Sequence, residues 1–187
     1  KGIPASVTLI EHTNPTVAPK SVKNAVECEN ERLAHIKDGV ALTRFMKWLH
    51  ENVGKTEITE ISAAEKLEQL RGQMEHYLGP SFDPIMGFDA HGAIIHYSAA
   101  PETDAALEPH GFLLSDTGGH YLEGSTDVTR TFVLGPLTPE MRHHYTMVLR
   151  GNLALAGAVF KQGCGGLNLD LLARTPFWEE GLDYNHG

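Results

Sequence analysis

Hydrophobic side chains recur at steps of three and four residues along the first part of the chain, which is the spacing of one face of an α-helix. Ser21 is a suitable N-cap residue, so we predict a helix that begins there and continues for roughly 30 residues. The predicted buried stripe consists of Val22, Val26, Leu33, Ile36, Val40, Leu42, Phe45 and Leu49.

Further start signals predict helices later in the chain. Ser62 and Glu65 form a capping box, in which each side chain can satisfy the free backbone N–H of the other. Thr138 and Pro139 provide a hydroxyl cap and a first-turn proline for another helix. The predicted buried residues of these two helices are Leu67, Leu70 and Met74, and then Met141, Tyr145, Val148, Leu149, Ala156 and Phe160. The run LNLDLLARTPFW, 167–178, predicts a shorter helix.

Between residues 80 and 135 the pattern changes to short apolar runs that are separated by glycine and proline. The runs AIIHY (93–97), FLLSD (112–116) and TRTFVLG (129–135) predict strands of one antiparallel sheet. VTLI, 7–10, predicts one more short strand within an otherwise extended segment. Helices packed on one face of such a sheet give an α+β fold.

Composition narrows the class of protein. The 187 residues include 24 acidic and 15 basic side chains, and a net charge of −9 argues against a nucleic-acid partner. Cys28 and Cys164 are too far apart in sequence for a disulfide scaffold or a zinc finger, which favours a reducing compartment. Neither a membrane span nor a leader peptide is recognisable, so we expect a cytoplasmic protein that does not bind a membrane.

Two aspartates frame a glycine-rich bend in SDTGGHYLEGSTDVTRT, residues 115–131. If the flanking segments are neighbouring antiparallel strands, Asp116 and Asp127 can point to one face and lie close together. Two carboxylates that close repel each other, and a divalent cation bound between them removes the repulsion. Spacing alone leaves two interpretations open, a cation site or the turn residues of a solvated hairpin.

Two histidines are also candidates for either a structural role or a role in a site. His96 lies inside the apolar run AIIHY, so it is either a hydrogen-bonded core residue or a site residue that faces a cleft. His186 stands in DYNHG and carries no signal by itself. Thr129 and Arg130 can be ordinary residues of an exposed strand, since threonine favours strands.

The string DTGGHYLEGSTDVTRT, 116–131, resembles a segment of the proline-specific metallopeptidases with the pita-bread fold, and among them the Xaa-Pro aminopeptidases most closely. Other strings agree in order: SVKNAVECENERLAHIKDGVAL, WLHE, EISAAEKLEQLR, SFDPIM, AIIHY, YTMVLRGNLAL and LARTPFWEEGLDYNHG. The resemblance implies that 21–187 is the first portion of a catalytic domain with an incomplete pita-bread fold. It also implies that 1–20 is a connector from a preceding domain.

The reaction of that family is hydrolysis of the bond between an N-terminal residue and a following proline. A water that bridges two metal ions, usually assigned as manganese, is the nucleophile. The resemblance implies that Asp116 binds one metal ion and that Asp127 bridges both. It implies that His96 and His186 contact the substrate near the scissile bond. We expect a second-sphere role for Thr129 and Arg130, which would hold Asp127 in orientation.

In that family the His-Gly at 186–187 continues as H-G-x-G-H, whose second histidine binds metal, and two glutamate ligands follow. The 187-residue chain therefore holds only Asp116 and Asp127 of the implied ligand set. We expect this chain by itself to bind metal weakly and to be inactive, and we expect the whole protein to be longer.

Two alternatives to an aminopeptidase stay open. An Xaa-Pro dipeptidase shares the motifs, and a pita-bread protein without its metal site would be a catalytically dead peptide-binding module. The expected partners are peptides with proline in the second position, and the family also suggests a homodimer.

Overall fold

The first long helix begins later than its hydrophobic pattern predicted. The computed structural model describes residues 2–4, 6–8 and 10–186, in which a short helix, α1 (Val17–Ser21), precedes α2 (Ala25–Asn52). The side-chain oxygen of Asn24 accepts from the N–H of Glu27 at 3.0 Å, and Glu27 Oε2 accepts from the N–H of Asn24 at 2.8 Å. This reciprocal pair satisfies two free helix donors. The predicted N-cap at Ser21 is therefore wrong.

The buried face of α2 follows the predicted stripe only in its second half. The predicted residues that are exposed are Val22, Val26, Leu33, Ile36 and Val40. The buried residues of α2 are Ala34, Asp38, Ala41, Leu42, Phe45 and Leu49. The prediction failed in the first half because the buried residues there are one alanine, Ala34, and the charged Asp38, and a search for large apolar side chains misses both.

Helix α3 spans Glu60–Arg71, and its N-cap lies three residues before the predicted cap at Ser62. Thr59 is the N-cap: its Oγ1 accepts from the N–H of Ser62 at 3.2 Å, and Ser62 Oγ accepts from the N–H of Thr59 at 2.8 Å. Ser62 is thus the second member of the capping box, and the predicted pair with Glu65 is wrong. Leu67 and Leu70 are buried as predicted, and Met74 packs against the core.

Five strands form two antiparallel sheets in the described part of the chain. They are β1 (Tyr77–Pro80), β2 (Ile85–Phe88), β3 (Phe112–Thr117), β4 (Gly119–Tyr121) and β5 (Val128–Val133). One sheet pairs β1 with β4, and the other has the order β2-β3-β5. The strands predicted at FLLSD and TRTFVLG are confirmed as β3 and β5.

The run AIIHY does not form the predicted strand. Asp89–Ala93 is a 3-10 turn, and the φ of 54° at His96 lies in the left-handed region, which extended strands do not use. Tyr97 Oη donates to a carboxylate oxygen of Glu60 at 2.9 Å. An apolar pattern cannot reveal such a tertiary hydrogen bond. The strand predicted at VTLI is also wrong, since positions 7, 8 and 10 are not in a strand, while Leu9 lies outside the described residues.

The core lies between the helices α2 and α3 and one face of the three-stranded sheet. Its buried members are Ala41, Leu42, Phe45, Leu49, Ile58, Ala63, Leu67, Leu70, Met86, Phe88, Leu107 and Leu113. Side chains alternate along β3, so the buried Leu113, Ser115 and Thr117 share the core face. Asp116, between them, faces the other side of the sheet.

The last two helices, α4 (Pro139–Ala156) and α5 (Gly166–Trp178), pack closely on each other. The predicted cap of α4 is confirmed, because Thr138 Oγ1 accepts from the N–H of Met141 at 3.1 Å. The predicted inner side is right only in its first turns, where Met141 is partly buried and Tyr145 stacks on Phe112, whereas the fully buried residues of α4 are Met147 and Gly151. A Cβ atom at Gly151 would overlap the carbonyl oxygen of Ala173, so close helix contact selects glycine there and turns the larger side chains outward.

Several large side chains of α4 and of the following turn are at least two-fifths exposed. They include Tyr145, Val148, Leu149 and Phe160. In the described part of the chain, none of the helices combines the length and the apolar character needed to cross a membrane.

Candidate metal and substrate site

The two aspartates of the glycine-rich bend lie at two neighbouring strands, Asp116 within β3 and Asp127 immediately before β5. Asp116 is paired directly with Thr129 on β5. Asp127 precedes Thr129 by two residues but lies outside the paired register, so the common orientation of the two carboxylates stays a prediction. Asp116 is partly buried and Asp127 is exposed.

Close packing fixes the bend between the two aspartates. A Cβ atom at Gly118 would overlap the carbonyl oxygen of Thr126, so only glycine fits there. The buried hydroxyl of Thr126 accepts from the N–H of Gly119 at 2.9 Å, and Ser81 Oγ donates to the carbonyl of Thr126 at 2.8 Å. Thr126 is therefore held in place immediately before Asp127.

Thr129 touches the first aspartate. Its hydroxyl donates to Asp116 Oδ1 at 2.8 Å, whereas the sequence led us to expect a role beside Asp127. Arg130 is exposed, and its Nη1 donates to the backbone carbonyl of Thr129 at 2.7 Å. Because side chains alternate and Arg130 is paired with Ser115, Arg130 lies on the sheet face opposite Asp116. A role for Arg130 at the site stays a prediction.

A cavity of about 650 Å³ brings four of the predicted site residues together. They are His96, Asp116, Thr129 and His186. The rings of His96 and His186 lie edge to face with their centroids 5.5 Å apart, although the two residues are ninety positions apart in sequence. The remaining lining residues are mostly apolar: Ile85, Gly92, Ala93, Ile94, Ile95, Leu114, Tyr184 and Asn185. Asp127 and Arg130 are not among the residues that line this cavity.

The donor set suits a hard cation only in part. Asp116 and Asp127 offer carboxylate oxygens, which are the ligand type that manganese and magnesium prefer. The described residues contain no group of three or more His, Cys, Asp and Glu side chains placed to hold a metal ion. These two aspartates thus fit as part of a larger ligand set.

Glu60 anchors the turn that carries His96, and sequence reasoning missed it. Its side chain is fully buried and accepts from the N–H of Phe88 at 2.7 Å and from Tyr97 Oη at 2.9 Å. His91 Nδ1 lies 2.9 Å from the same carboxylate. Burial raises the pKa of Tyr97, so its hydroxyl remains a donor. An acidic residue in a first helical turn is ordinary, so the sequence offered no signal for this role.

A buried ion pair supports the core side of the same hairpin. Arg71 Nε lies 2.6 Å from Asp38 Oδ1, and both side chains are at most 3% exposed. Arg71 Nη2 also donates to Thr117 Oγ1 at 3.0 Å, next to Asp116 in the chain. Tyr121 Oη donates to Asp38 at 3.1 Å, and burial raises the pKa of this tyrosine. This network joins α2 and α3 to the strands on both sides of the bend.

Comparison with known proteins gives the context of this site. The model of metallopeptidase family M24 matches residues 29–187. The probable Xaa-Pro aminopeptidase P of Sclerotinia sclerotiorum is 45% identical over 179 residues, which are 95% of this chain and 30% of that protein. The corresponding protein of Verticillium alfalfae is 45% identical over 170 residues, which are 90% of this chain and 28% of that protein.

Solved structures extend the likeness. The X-prolyl aminopeptidase of Caenorhabditis elegans, described as a cytosolic enzyme with a di-nuclear active site, is 36% identical with a TM-score of 0.88. The match covers 94% of this chain and 29% of that one. The Xaa-Pro dipeptidase of Bacillus anthracis has a TM-score of 0.74 at 23% identity, and this similarity shows the fold alone. The chain thus spans about 30% of the length of the curated relatives it matches.

Proposed function

The chain belongs to metallopeptidase family M24, and we propose that it forms part of the catalytic domain of an Xaa-Pro aminopeptidase. In this proposal the whole protein removes the N-terminal residue from peptides that have proline in second position. The observation that carries the proposal is the convergence of His96, His186 and Asp116 on one cavity, with Asp127 immediately before the strand that pairs with the strand of Asp116. The two fungal relatives that are 45% identical to the chain bear the name probable Xaa-Pro aminopeptidase P, which supports it.

Asp116 and Asp127 would hold two divalent metal ions together with ligands from outside the described residues. The C. elegans relative is described as having a di-nuclear active site, and carboxylate donors are compatible with manganese. Such ions supply Lewis-acid activation of a water and of the peptide carbonyl. The hydrogen bond from Thr129 fixes one oxygen of Asp116 and leaves its other oxygen available to a ligand.

His96 and His186 would bind the substrate in the cavity. A histidine ring can donate a hydrogen bond to a peptide carbonyl or accept one from an N–H, and can carry a proton near neutral pH. The walls beside them include Ile85, Ile94 and Leu114, which exclude water from part of the cavity. This arrangement is suited to orienting a short peptide backbone between polar groups and an apolar wall.

We propose an aminopeptidase rather than a dipeptidase because the relatives at 45% identity and the C. elegans structure at 36% identity are named as aminopeptidases. A dead peptide-binding module is less well supported, since both aspartates and both histidines are present. A cytosolic location is proposed by analogy with the C. elegans relative, and a homodimer stays a prediction.

Substrate length tests the proposal. The whole purified protein, supplied with manganese, should hydrolyse an Xaa-Pro-Yaa tripeptide and release free Xaa. Cleavage of the Xaa-Pro dipeptide alone would instead identify a dipeptidase. Binding of the tripeptide without cleavage would support the peptide-binding module.

A further inference from the structure

One arginine on α5 contacts most residues of the segment that ends in His186. Arg174 Nε lies 2.6 Å from Asp170 Oδ2, one helical turn earlier, and the arginine side chain is 16% exposed. Its Nη1 donates to Asp183 Oδ1 and to the backbone carbonyl of Tyr184, both at 2.8 Å. Its Nη2 donates to the backbone carbonyl of His186 at 3.2 Å. A single guanidinium group therefore contacts three of the four residues from 183 to 186.

Additional contacts tie this segment back onto the same helix. The guanidinium carbon of Arg174 lies 4.0 Å from the centroid of the Tyr184 ring, in a cation–π arrangement. Tyr184 Oη donates to Asp170 at 3.3 Å, and Trp178 Nε1 donates to Asp183 Oδ2 at 3.0 Å. The hydrogen bond from Trp178, the N–H of Tyr184 and Arg174 lower the pKa of Asp183, so this residue stays charged at neutral pH. The segment is thus folded back by charged and aromatic contacts.

We propose that Arg174 is a positioning residue that sets the backbone of His186 so that its ring meets His96 across the cavity. The inference rests on the proposed function, in which both histidines bind the substrate. Arginine suits this task because its planar fork reaches several acceptors in fixed directions, whereas lysine offers one point of charge. The contact at the carbonyl of His186 is the direct link between Arg174 and the site.

The first test measures position without measuring activity. In NMR spectra of the 187-residue chain, the nuclear Overhauser contact between the rings of His96 and His186 should be present. It should be lost in Arg174→Ala and in Arg174→Lys, while the amide signals of β3 and β5 keep their wild-type positions. The lysine variant decides the question because it keeps the charge and most of the alkyl stem and is the less disruptive change.

Arg150→Ala is the matched control. Arg150 lies on the neighbouring helix α4, is 60% exposed and approaches Glu179 only at 3.9 Å. This control should retain the contact between the two rings. Wild-type intensity of that contact in Arg174→Lys would overturn the proposal.

The second test uses the whole protein with an Xaa-Pro tripeptide. Displacement of a substrate-orienting group by about 1 Å can cost on the order of 100-fold in rate, so kcat of Arg174→Lys should fall by about that factor with KM changed far less. An equal change of kcat in Arg150→Ala, or none in Arg174→Lys, would contradict a positioning role.

The two tests separate this inference from the proposed function. If the Arg174 variants lose the ring contact but the wild-type protein hydrolyses no Xaa-Pro peptide, Arg174 positions His186 and the proposed function is wrong. Normal hydrolysis with an undisturbed ring contact in Arg174→Lys would retain the function and remove the role of Arg174.

Discussion

The hydroxyl of Thr129 donates to Asp116 Oδ1 at 2.8 Å, between two residues that are paired directly across strands β3 and β5. A hydrogen bond to a charged carboxylate is stronger than one between neutral groups. It restricts the rotation of Asp116 and directs the free oxygen of the carboxylate. Thr129 thus prepares the first proposed metal ligand before any metal binds.

Thr129→Val should therefore weaken metal binding in the whole protein. Valine has almost the shape of threonine and favours strands equally, but it lacks the hydroxyl donor. Loss of an outer-sphere partner typically costs 10- to 100-fold in metal affinity, so we expect a decrease of about 10-fold or more. Titration of the metal-free protein with manganese measures it.

Thr131→Val is the control, because Thr131 is two residues further along the same strand face. Its metal affinity should stay at the wild-type value. Equal affinities of Thr129→Val and wild type would show that the hydrogen bond has no influence on the ligand.

Local sequence signals predicted the strand pair that carries the aspartates. FLLSD and TRTFVLG are short apolar runs, and the glycine-rich bend between them leaves little choice of partner strand, so the pairing of β3 with β5 could be foreseen. The buried face in the first half of α2 could not be foreseen, because it consists of Ala34 and Asp38. Asp38 is tolerated in the core because it pairs with Arg71, which lies on another helix.

The site was less accessible to sequence reasoning than the sheet. The turn at His96 depends on Glu60, and the proximity of His186 depends on the fold of the last segment onto α5. The first contact joins residues that are far apart in sequence, and the second involves a segment of irregular backbone. Periodicity describes regular elements, so it carries no information about either contact.

Removal of the buried carboxylate of Glu60 should destabilise the chain strongly. Glu60→Ala removes the side-chain acceptor of the N–H groups of Phe88 and Ala105 and the 2.9 Å hydrogen bond of the Tyr97 hydroxyl. Breaking a buried charged network typically costs about 3–5 kcal/mol in the free energy of unfolding. Urea denaturation followed by circular dichroism gives the value.

Glu65→Ala is the comparison, since Glu65 is exposed on the same helix. That change should alter the free energy of unfolding by less than about 0.5 kcal/mol. Similar losses in the two variants would mean that Glu60 contributes only as a helix residue.

A double-mutant cycle should detect strong coupling between Asp38 and Arg71. The two side chains form a buried ion pair with a 2.6 Å contact, so either single truncation leaves an unpaired charge. We expect each of Asp38→Ala and Arg71→Met to cost about 3–5 kcal/mol and the double variant to cost clearly less than their sum. The exposed pair of Glu29 and Arg32 should show coupling below about 1 kcal/mol. Additive losses for Asp38 and Arg71 would contradict the buried pair.

The stability contributed by Glu123 should depend on pH. Lys37 Nζ and His76 Nδ1 each lie 2.7 Å from Glu123 Oε1, and these hydrogen bonds lower the pKa of Glu123 from 4.5 to about 2. Because the pKa of Glu123 is lower in the folded state, this residue stabilises the fold at pH values above its unfolded-state pKa of 4.5. This contribution is lost as the pH falls from 4.5 through 2. Glu123→Gln should thus be less stable than wild type at pH 7, and the difference should shrink toward pH 2.

Denaturation midpoints measured across this pH range test the direction in which the stability difference changes. Glu29→Gln is a suitable reference, because the side chain of Glu29 is 64% exposed in its pair with Arg32. A constant difference between Glu123→Gln and wild type from pH 7 down to 2 would exclude the lowered pKa as the cause.

Asp127→Asn in the whole protein tests the central claim most directly, because asparagine keeps the size of the side chain and removes the charge. Metal content, Xaa-Pro hydrolysis and the thermal midpoint are measured beside wild type and Asp83→Asn, which changes an exposed aspartate before β2. We predict that Asp127→Asn loses hydrolysis and bound metal while it keeps its fold, and that Asp83→Asn keeps all three. Hydrolysis at the wild-type rate in Asp127→Asn would contradict the assignment of this hairpin to a metal centre.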